Sequence, residues 1–172
     1  MKKRYVILSL ILLLIAGTVI YWPRRWQYIV IHHSAGNYGN VEHLQQVHRQ
    51  RQAGDPLDAI AYHYIIGNGN GLGDGVVDSD RRKQYNIWGV HVSNANADKN
   101  FRGLGVCIIG NIHTGQMTDK QFESLVNLTH ELMDRYGITK ENVLFHGHIT
   151  GEQTACPGKN FPKTRFLAAI KD

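Results

Sequence analysis

The chain has few residues that could tie it together covalently, and its excess charge is confined to one end. Among its 172 residues there are only two cysteines, Cys107 and Cys156, and four prolines. Two thiols are too few for the disulfide framework of a small secreted scaffold. Cys107 sits in the apolar run GLGVCIIGN (103–111) and Cys156 in a loop beside histidines, so no bond between them is expected. Acidic residues are missing from residues 1–25, which hold Lys2, Lys3, Arg4, Arg24 and Arg25. Those five account for the net charge of +5, because the other fourteen Lys and Arg face fourteen Asp and Glu over 26–172. That segment lacks the basic excess from which nonspecific nucleic-acid affinity is built, so no nucleic-acid partner is expected. Internal repeats and low-complexity segments are also absent. The stretch GNGNGLGDG (67–75) contains no GxGxxG match, which excludes a dinucleotide loop there. With 42% hydrophobic and 19% charged residues, the composition is that of a chain that folds.

Residues 5–22 read YVILSLILLLIAGTVIYW, a stretch without a charge. As a helix it would span about 27 Å, close to the roughly 30 Å of a bilayer's hydrocarbon core. A basic flank precedes it, and Tyr21, Trp22, Arg24 and Arg25 sit where interfacial anchors belong. The expectation is a signal-anchor, a single transmembrane helix with its N-terminus in the cytoplasm. The rest would then lie on the extracytoplasmic side of the cell membrane. The competing reading is a signal peptide cut near Ala16–Thr18, which would make the protein secreted. The chain divides accordingly into 1–25, anchor and short linker, and 26–172, one domain long enough to bury a substantial core.

Within that domain, QYIVIH (27–32) reads as a strand and Asn40 caps a helix over 41–53 that Gly54 ends. AYHYIIG (61–67) is a second strand, and Gly75–Ser79 completes a hairpin with it. Residues 80–102 read as loop with one short element. Leu104–Ile109 is a central strand. Thr118 and Gln121 form a capping-box pattern for a helix over 119–136, closed by Gly137. Asn142–His146 is a further strand, and a short helix lies near Lys163–Ile170. The fold class is α/β, a single domain with a central mixed β-sheet flanked by helices, preceded by the transmembrane helix.

Ten histidines are many for this length, and their placement carries the chemistry. Three stretches stand out, IHHSAG (31–36), WGVHVS (88–93) and HGHITGEQTACPG (146–158). A zinc site draws imidazole and thiolate donors from separate segments and, when catalytic, leaves one position to water. His32 ends one strand, while His148 and Cys156 lie eight apart on a loop after another. A lone His-x7-Cys also arises by chance, so spacing leaves the metal reading open.

YIVIHHSAG, AYHYIIG, GLGVCIIGN and GHITGEQTACPG follow one another in this order, and together they resemble the zinc-dependent N-acetylmuramoyl-L-alanine amidases of the second type. That family includes phage lysozyme-type amidases and animal peptidoglycan-recognition proteins. The resemblance covers about residues 27–168. It implies Zn2+ as cofactor, peptidoglycan as substrate, and hydrolysis of the amide between N-acetylmuramic acid and L-alanine. Carried over by position, His32, His148 and Cys156 are the implied zinc ligands. His33 is left on the opposite face of its strand, and His146 becomes a strand residue or a supporting one. Tyr62 matches a tyrosine beside the metal, and Thr154 a position able to donate to the oxyanion. His91 matches a histidine on the cleft rim and is expected to contact substrate. The glycine-rich 67–75 and Arg102–Gly103 depart from the common pattern, which bears on cleft shape.

Three other readings make different demands. A peptidoglycan-binding module of the same fold would be marked by loss of the Cys ligand. A cysteine peptidase would use Cys156 as nucleophile with His148 or His146 as base. A structural zinc site would need a fourth protein ligand, for which His146 and His33 are the candidates. A monomer is expected.

Overall fold

A computed structural model describes residues 2–52 and 54–170, with the side chains of residues 2, 3, 18–21 and 23 outside the description. In chain order the elements are α1 (Lys2–Arg24), β1 (Tyr28–His33), α2 (Val41–Arg51), β2 (Tyr64–Ile66) and β3 (Val77–Ser79). There follow α3 (Arg81–Gln84), α4 (Ala97–Arg102), β4 (Gly103–Ile108), α5 (Asp119–Tyr136), β5 (Val143–Phe145) and α6 (Lys163–Ala169). The strands form one sheet in the order β3-β2-β4-β1-β5. Pairing is parallel between β2 and β4, β4 and β1, and β1 and β5, while β3 runs antiparallel to β2. The α/β domain with a mixed central sheet is therefore as expected.

One face of the sheet is packed by α5 and α6. Ile29 and Ile31 of β1, Leu104, Val106 and Ile108 of β4, and Val143 and Phe145 of β5 bury themselves against Phe122, Leu125, Leu132 and Phe166. The stripe on α5 supplies this contact, and both ends of that helix are closed as its sequence indicates. Thr118 and Gln121 form the capping box, and Gly137 takes the left-handed conformation at φ 66°. Gln121 is buried and its amide donates to the carbonyls of Ile66 and Ile109, tying α5 to the ends of β2 and β4.

Alternation then sends the intervening residues to the opposite face. There Ile65 and Cys107 pack with Leu44 of α2, and Val30 packs with Val92 and Ile149. His32 stands between these two small clusters, in register with Cys107. Both cysteines are free and buried.

Several expected boundaries shift. The strand expected over 61–67 shortens to Tyr64–Ile66, leaving Tyr62 in the bend before it. Helix α2 ends at Arg51, and position 53 of the expected range lies outside the described residues. The segment 80–102 holds two short helices and a 3-10 turn rather than one short element. It is pinned by buried Arg82, which donates to the carbonyls of Ile60 and Trp88 and to the Asp55 carboxylate. Hydrophobic periodicity carries no trace of such a network, because the bonds run from one side chain to distant backbone.

A helix does cover 5–22, but the transmembrane assignment is not supported. Among the described residues no helix is long and apolar enough to cross a membrane. Helix α1 includes Lys2, Lys3, Arg4 and Arg24 within its own length. It joins the domain through Arg25, whose buried guanidinium lies 4.2 Å from the Trp22 ring and 3.8 Å from the Trp26 ring. The same group donates to the carbonyls of Trp22, Asn86 and Phe101.

Candidate metal centre

Strand register brings two histidines together. Ile31 of β1 pairs with Phe145 of β5, so the next positions, His32 and His146, emerge side by side on the face away from α5. His32 Nδ1 lies 3.1 Å from His146 Nδ1 and 3.8 Å from Cys156 Sγ. The three donors, one from each of His32, His146 and Cys156, all lie within 4.8 Å of one another. They sit at the carboxyl ends of parallel strands, where open α/β sheets place their ligands.

The loop that returns Cys156 to this point depends on Gly147. Its N–H donates to the Cys156 carbonyl at 2.7 Å, and a Cβ there would meet the Thr154 carbonyl oxygen at 2.3 Å. Any side chain would push the loop away. At the sulfur, the backbone N–H of His33 donates to Sγ at 3.3 Å.

The second nitrogen of His146 is engaged as well. Nε2 lies 3.0 Å from the Glu152 carboxylate, which can only accept, so the ring proton is on Nε2 and the lone pair of Nδ1 faces the cluster. Glu152 also accepts from Ser93 N–H, Ser93 Oγ and Asn96 Nδ2. Burial would raise this carboxyl, but those hydrogen bonds outweigh it and hold it at about 2. A fixed anion thus orients the imidazole, as carboxylates behind metal-bound histidines do.

The donor set fits a divalent ion of the zinc type. Two imidazole nitrogens aimed at one point 3.1 Å apart have no partner in each other unless a cation or a proton lies between them. Burial, with His91, His146 and His33 near by, lowers the pKa of His32 well below its ordinary value, which favours a neutral ring. Burial pushes the Cys156 thiol up to about 12, so in the bare protein it stays protonated, and a bound cation is what would draw a thiolate from it. Among the described residues three donors converge and no fourth, the count of a catalytic rather than a structural site.

The other expected site residues fall as follows. His148, expected as a ligand, points elsewhere. It is exposed in the 3-10 turn after β5, its Nδ1 is 3.0 Å from Lys163 Nζ, and its ring leans on Phe145. Strand β5 ends at Phe145, and His146, the first residue of the 3-10 turn, still follows its alternation, whereas by His148 the turn has carried the chain away from it. His33 points to the opposite face as expected, where its Nδ1 accepts from Ile112 N–H at 3.0 Å. His91, expected on the cleft rim, is buried behind His32, with Nδ1 3.1 Å from His32 Nε2. Burial lowers it to about 3, so it is neutral.

Tyr62 does lie at the site, its ring 5.1 Å from that of His32. Burial and the neighbouring Cys107 and Cys156 raise its phenol well above the ordinary value, so it is a donor at any physiological pH. It lines a hollow of about 170 Å³ with Ser34, Arg51, Gln52 and His91. Thr154 is exposed, and its Oγ1 accepts from Cys156 N–H at 3.2 Å, which leaves its own hydroxyl proton to donate. It lines a second hollow of about 480 Å³ with His113, Cys156 and Lys159. A larger cavity of about 570 Å³ runs along β5, but none of the three donors lines it.

The sheet order and the His/His/Cys cluster at its carboxyl edge define a class, the single-domain α/β proteins with a three-donor metal-type centre. The chain belongs to the N-acetylmuramoyl-L-alanine amidase family of the second type, which also contains the peptidoglycan-recognition proteins; the family model matches residues 22–159. It is 30% identical over 138 residues to peptidoglycan-recognition protein SC2 of Drosophila melanogaster, covering 77% of this chain and 68% of that protein. The N-acetylmuramoyl-L-alanine amidase LysC from Clostridium intestinale superposes with a TM-score of 0.70 at 29% identity, over 86% of each chain. Human PGRP-IBETAC, solved with a glycosamyl muramyl pentapeptide, shares the fold at 18% identity, with a TM-score of 0.62 over 81% of each chain.

Proposed function

We propose that this protein is a zinc-dependent N-acetylmuramoyl-L-alanine amidase, hydrolysing the amide bond between N-acetylmuramic acid and L-alanine in peptidoglycan. The observation that carries the reading is the convergence of His32, His146 and Cys156 donors within 4.8 Å with no fourth donor among the described residues. When bound, zinc supplies a net positive centre that acidifies water and polarises a carbonyl oxygen, as the cleavage of an unreactive amide requires.

The chain's own residues do the rest. His32 and His146 turn their Nδ1 atoms to one point, and Glu152 keeps the His146 proton on the far nitrogen. Tyr62 offers a phenolic proton to the oxygen that gains charge as the carbonyl is attacked, and Thr154 offers a hydroxyl proton from the other side. The hollows beside Tyr62 and beside Thr154 flank the cluster and give space for the glycan end and the stem peptide. Relatives named for peptidoglycan recognition support the same substrate class. A cysteine-peptidase reading fares worse, because a nucleophilic cysteine needs a lowered pKa and Cys156 is buried with a raised one.

The site of action we propose is the outer face of the cell membrane, with the exposed apolar side chains of α1 resting on that surface rather than spanning it. Supporting this are the charge-free run 5–22 and the large apolar side chains from Tyr5 to Ile15, each about half exposed or more. The test is the full chain incubated with peptidoglycan, with products identified by mass spectrometry and zinc quantified on the same sample. Release of stem peptides that chelation abolishes and zinc restores is expected. Cleavage at another bond, or activity in metal-free protein, overturns the proposal. Sedimentation of α1-bearing protein with membranes, and its loss on deleting residues 5–22, tests that contact.

A further inference from the structure

We infer that His91 is a positioning residue that selects which nitrogen of His32 faces the metal; this rests on the zinc reading above. The hydrogen-bond chain runs outward from the site. His91 Nε2 faces the backbone carbonyl of Gly103 at 3.3 Å. A carbonyl only accepts, so Nε2 carries the His91 proton. A neutral His91 then has an accepting Nδ1, and it meets His32 Nε2 at 3.1 Å. His32 must donate there, which places its proton on Nε2 and leaves Nδ1 bare. Nδ1 is the nitrogen aimed at His146 and Cys156. A main-chain carbonyl thereby dictates, through one intervening ring, the tautomer of a ligand.

The slot holding His91 is built for an imidazole. Cβ atoms at Gly89 and Gly105 would lie 2.3 and 2.7 Å from His91 Cδ2, so the ring is gripped between two backbones that carry no side chain. Its own backbone N–H donates to Asn100 Oδ1 at 2.8 Å. A ring held this way has both nitrogens committed and cannot swing out to a substrate. Glu152 does the same work for His146 with a carboxylate, so each ligand imidazole has its tautomer set from behind by a different group.

The experiment compares the full-length protein with His91→Phe and His91→Asn. Zinc affinity is measured by competition with a chromophoric chelator, alongside kcat and KM on muropeptide and the ring-nitrogen NMR shifts of His32 in wild type. His91→Phe keeps the ring's shape but offers no acceptor, and zinc binding about 10–100-fold weaker is expected. His91→Asn, with an amide oxygen near the position of Nδ1, should recover most of that loss. Wild-type His32 should show a protonated Nε2 in the zinc-bound state, a readout that needs no variant to fold. Zinc affinity unchanged in His91→Phe with a raised KM would make His91 a substrate contact and sink the inference. A zinc-bound His32 protonated on Nδ1 would sink it too. If wild type binds no zinc, the metal reading itself has failed, and this inference with it.

Discussion

His32 Nδ1 and His146 Nδ1 face each other across 3.1 Å from neighbouring parallel strands. Neither ring can satisfy the other while both nitrogens are bare, so the pair has a cation's place built into it. This relationship, rather than the spacing of His148 from Cys156, carries the ligand set we propose. His146→Ala should abolish zinc binding and activity together, as should Cys156→Ala. His148→Ala should keep stoichiometric zinc. Elemental analysis of the three purified variants checks this, and zinc lost from His148→Ala alone would restore the spacing-based assignment.

Glu152 accepts from His146, Ser93 and Asn96 at once, so its removal frees the His146 ring and takes an acceptor from the other two. Glu152→Ala is expected to weaken zinc binding by about 10–100-fold. Chelator competition measures it.

Tyr62 lies beside the cluster without belonging to it. Tyr62→Phe removes one proton donor together with its hydrogen bond to Cys107. Zinc content should stay at wild-type level while kcat falls by about 100-fold, the usual cost of losing one oxyanion donor. Steady-state kinetics on muropeptide reads this, and an unchanged kcat would remove Tyr62 from the reaction.

Asp55 pairs with buried Arg82 and with His48. Burial would raise its carboxyl, but the Arg82 charge and the His48 hydrogen bond hold it below the ordinary carboxylate value. A depressed carboxyl stabilises the fold above the unfolded pKa of about 3.9, and that stabilisation is lost as pH falls through the folded value. Asp55→Asn leaves a buried guanidinium without its counter-charge and should cost about 3 kcal/mol at pH 7. Denaturant unfolding at pH 7 and at descending acid pH is the measurement, and the gap between variant and wild type should narrow below about pH 4.

Much of this was open to reading along the chain. The capping box of α5, the alternation that buries β1, and the run that makes β4 a central strand follow from short-range pattern, because one helix face or one strand suffices to express them. His32 and Cys156 were legible as candidate donors. His146 could have been preferred on the same logic, since Val143 and Phe145 are the apolar, core-facing positions of β5 and alternation then turns Leu144 and His146 the other way. The roles of Glu152 and Arg82 left no local signal.

The sequence by itself determined the element types, the composition of the donor set and the family to which the chain belongs, since each is carried by residues close together or in fixed order. Tertiary structure alone decided that His146 rather than His148 joins His32 and Cys156, and that His91 lies behind His32 instead of on a rim. The reason is geometric. Which imidazole reaches a point in space depends on the register between β1 and β5 and on the residue at which the strand gives way to a turn, and neither is a property of the distance between two letters.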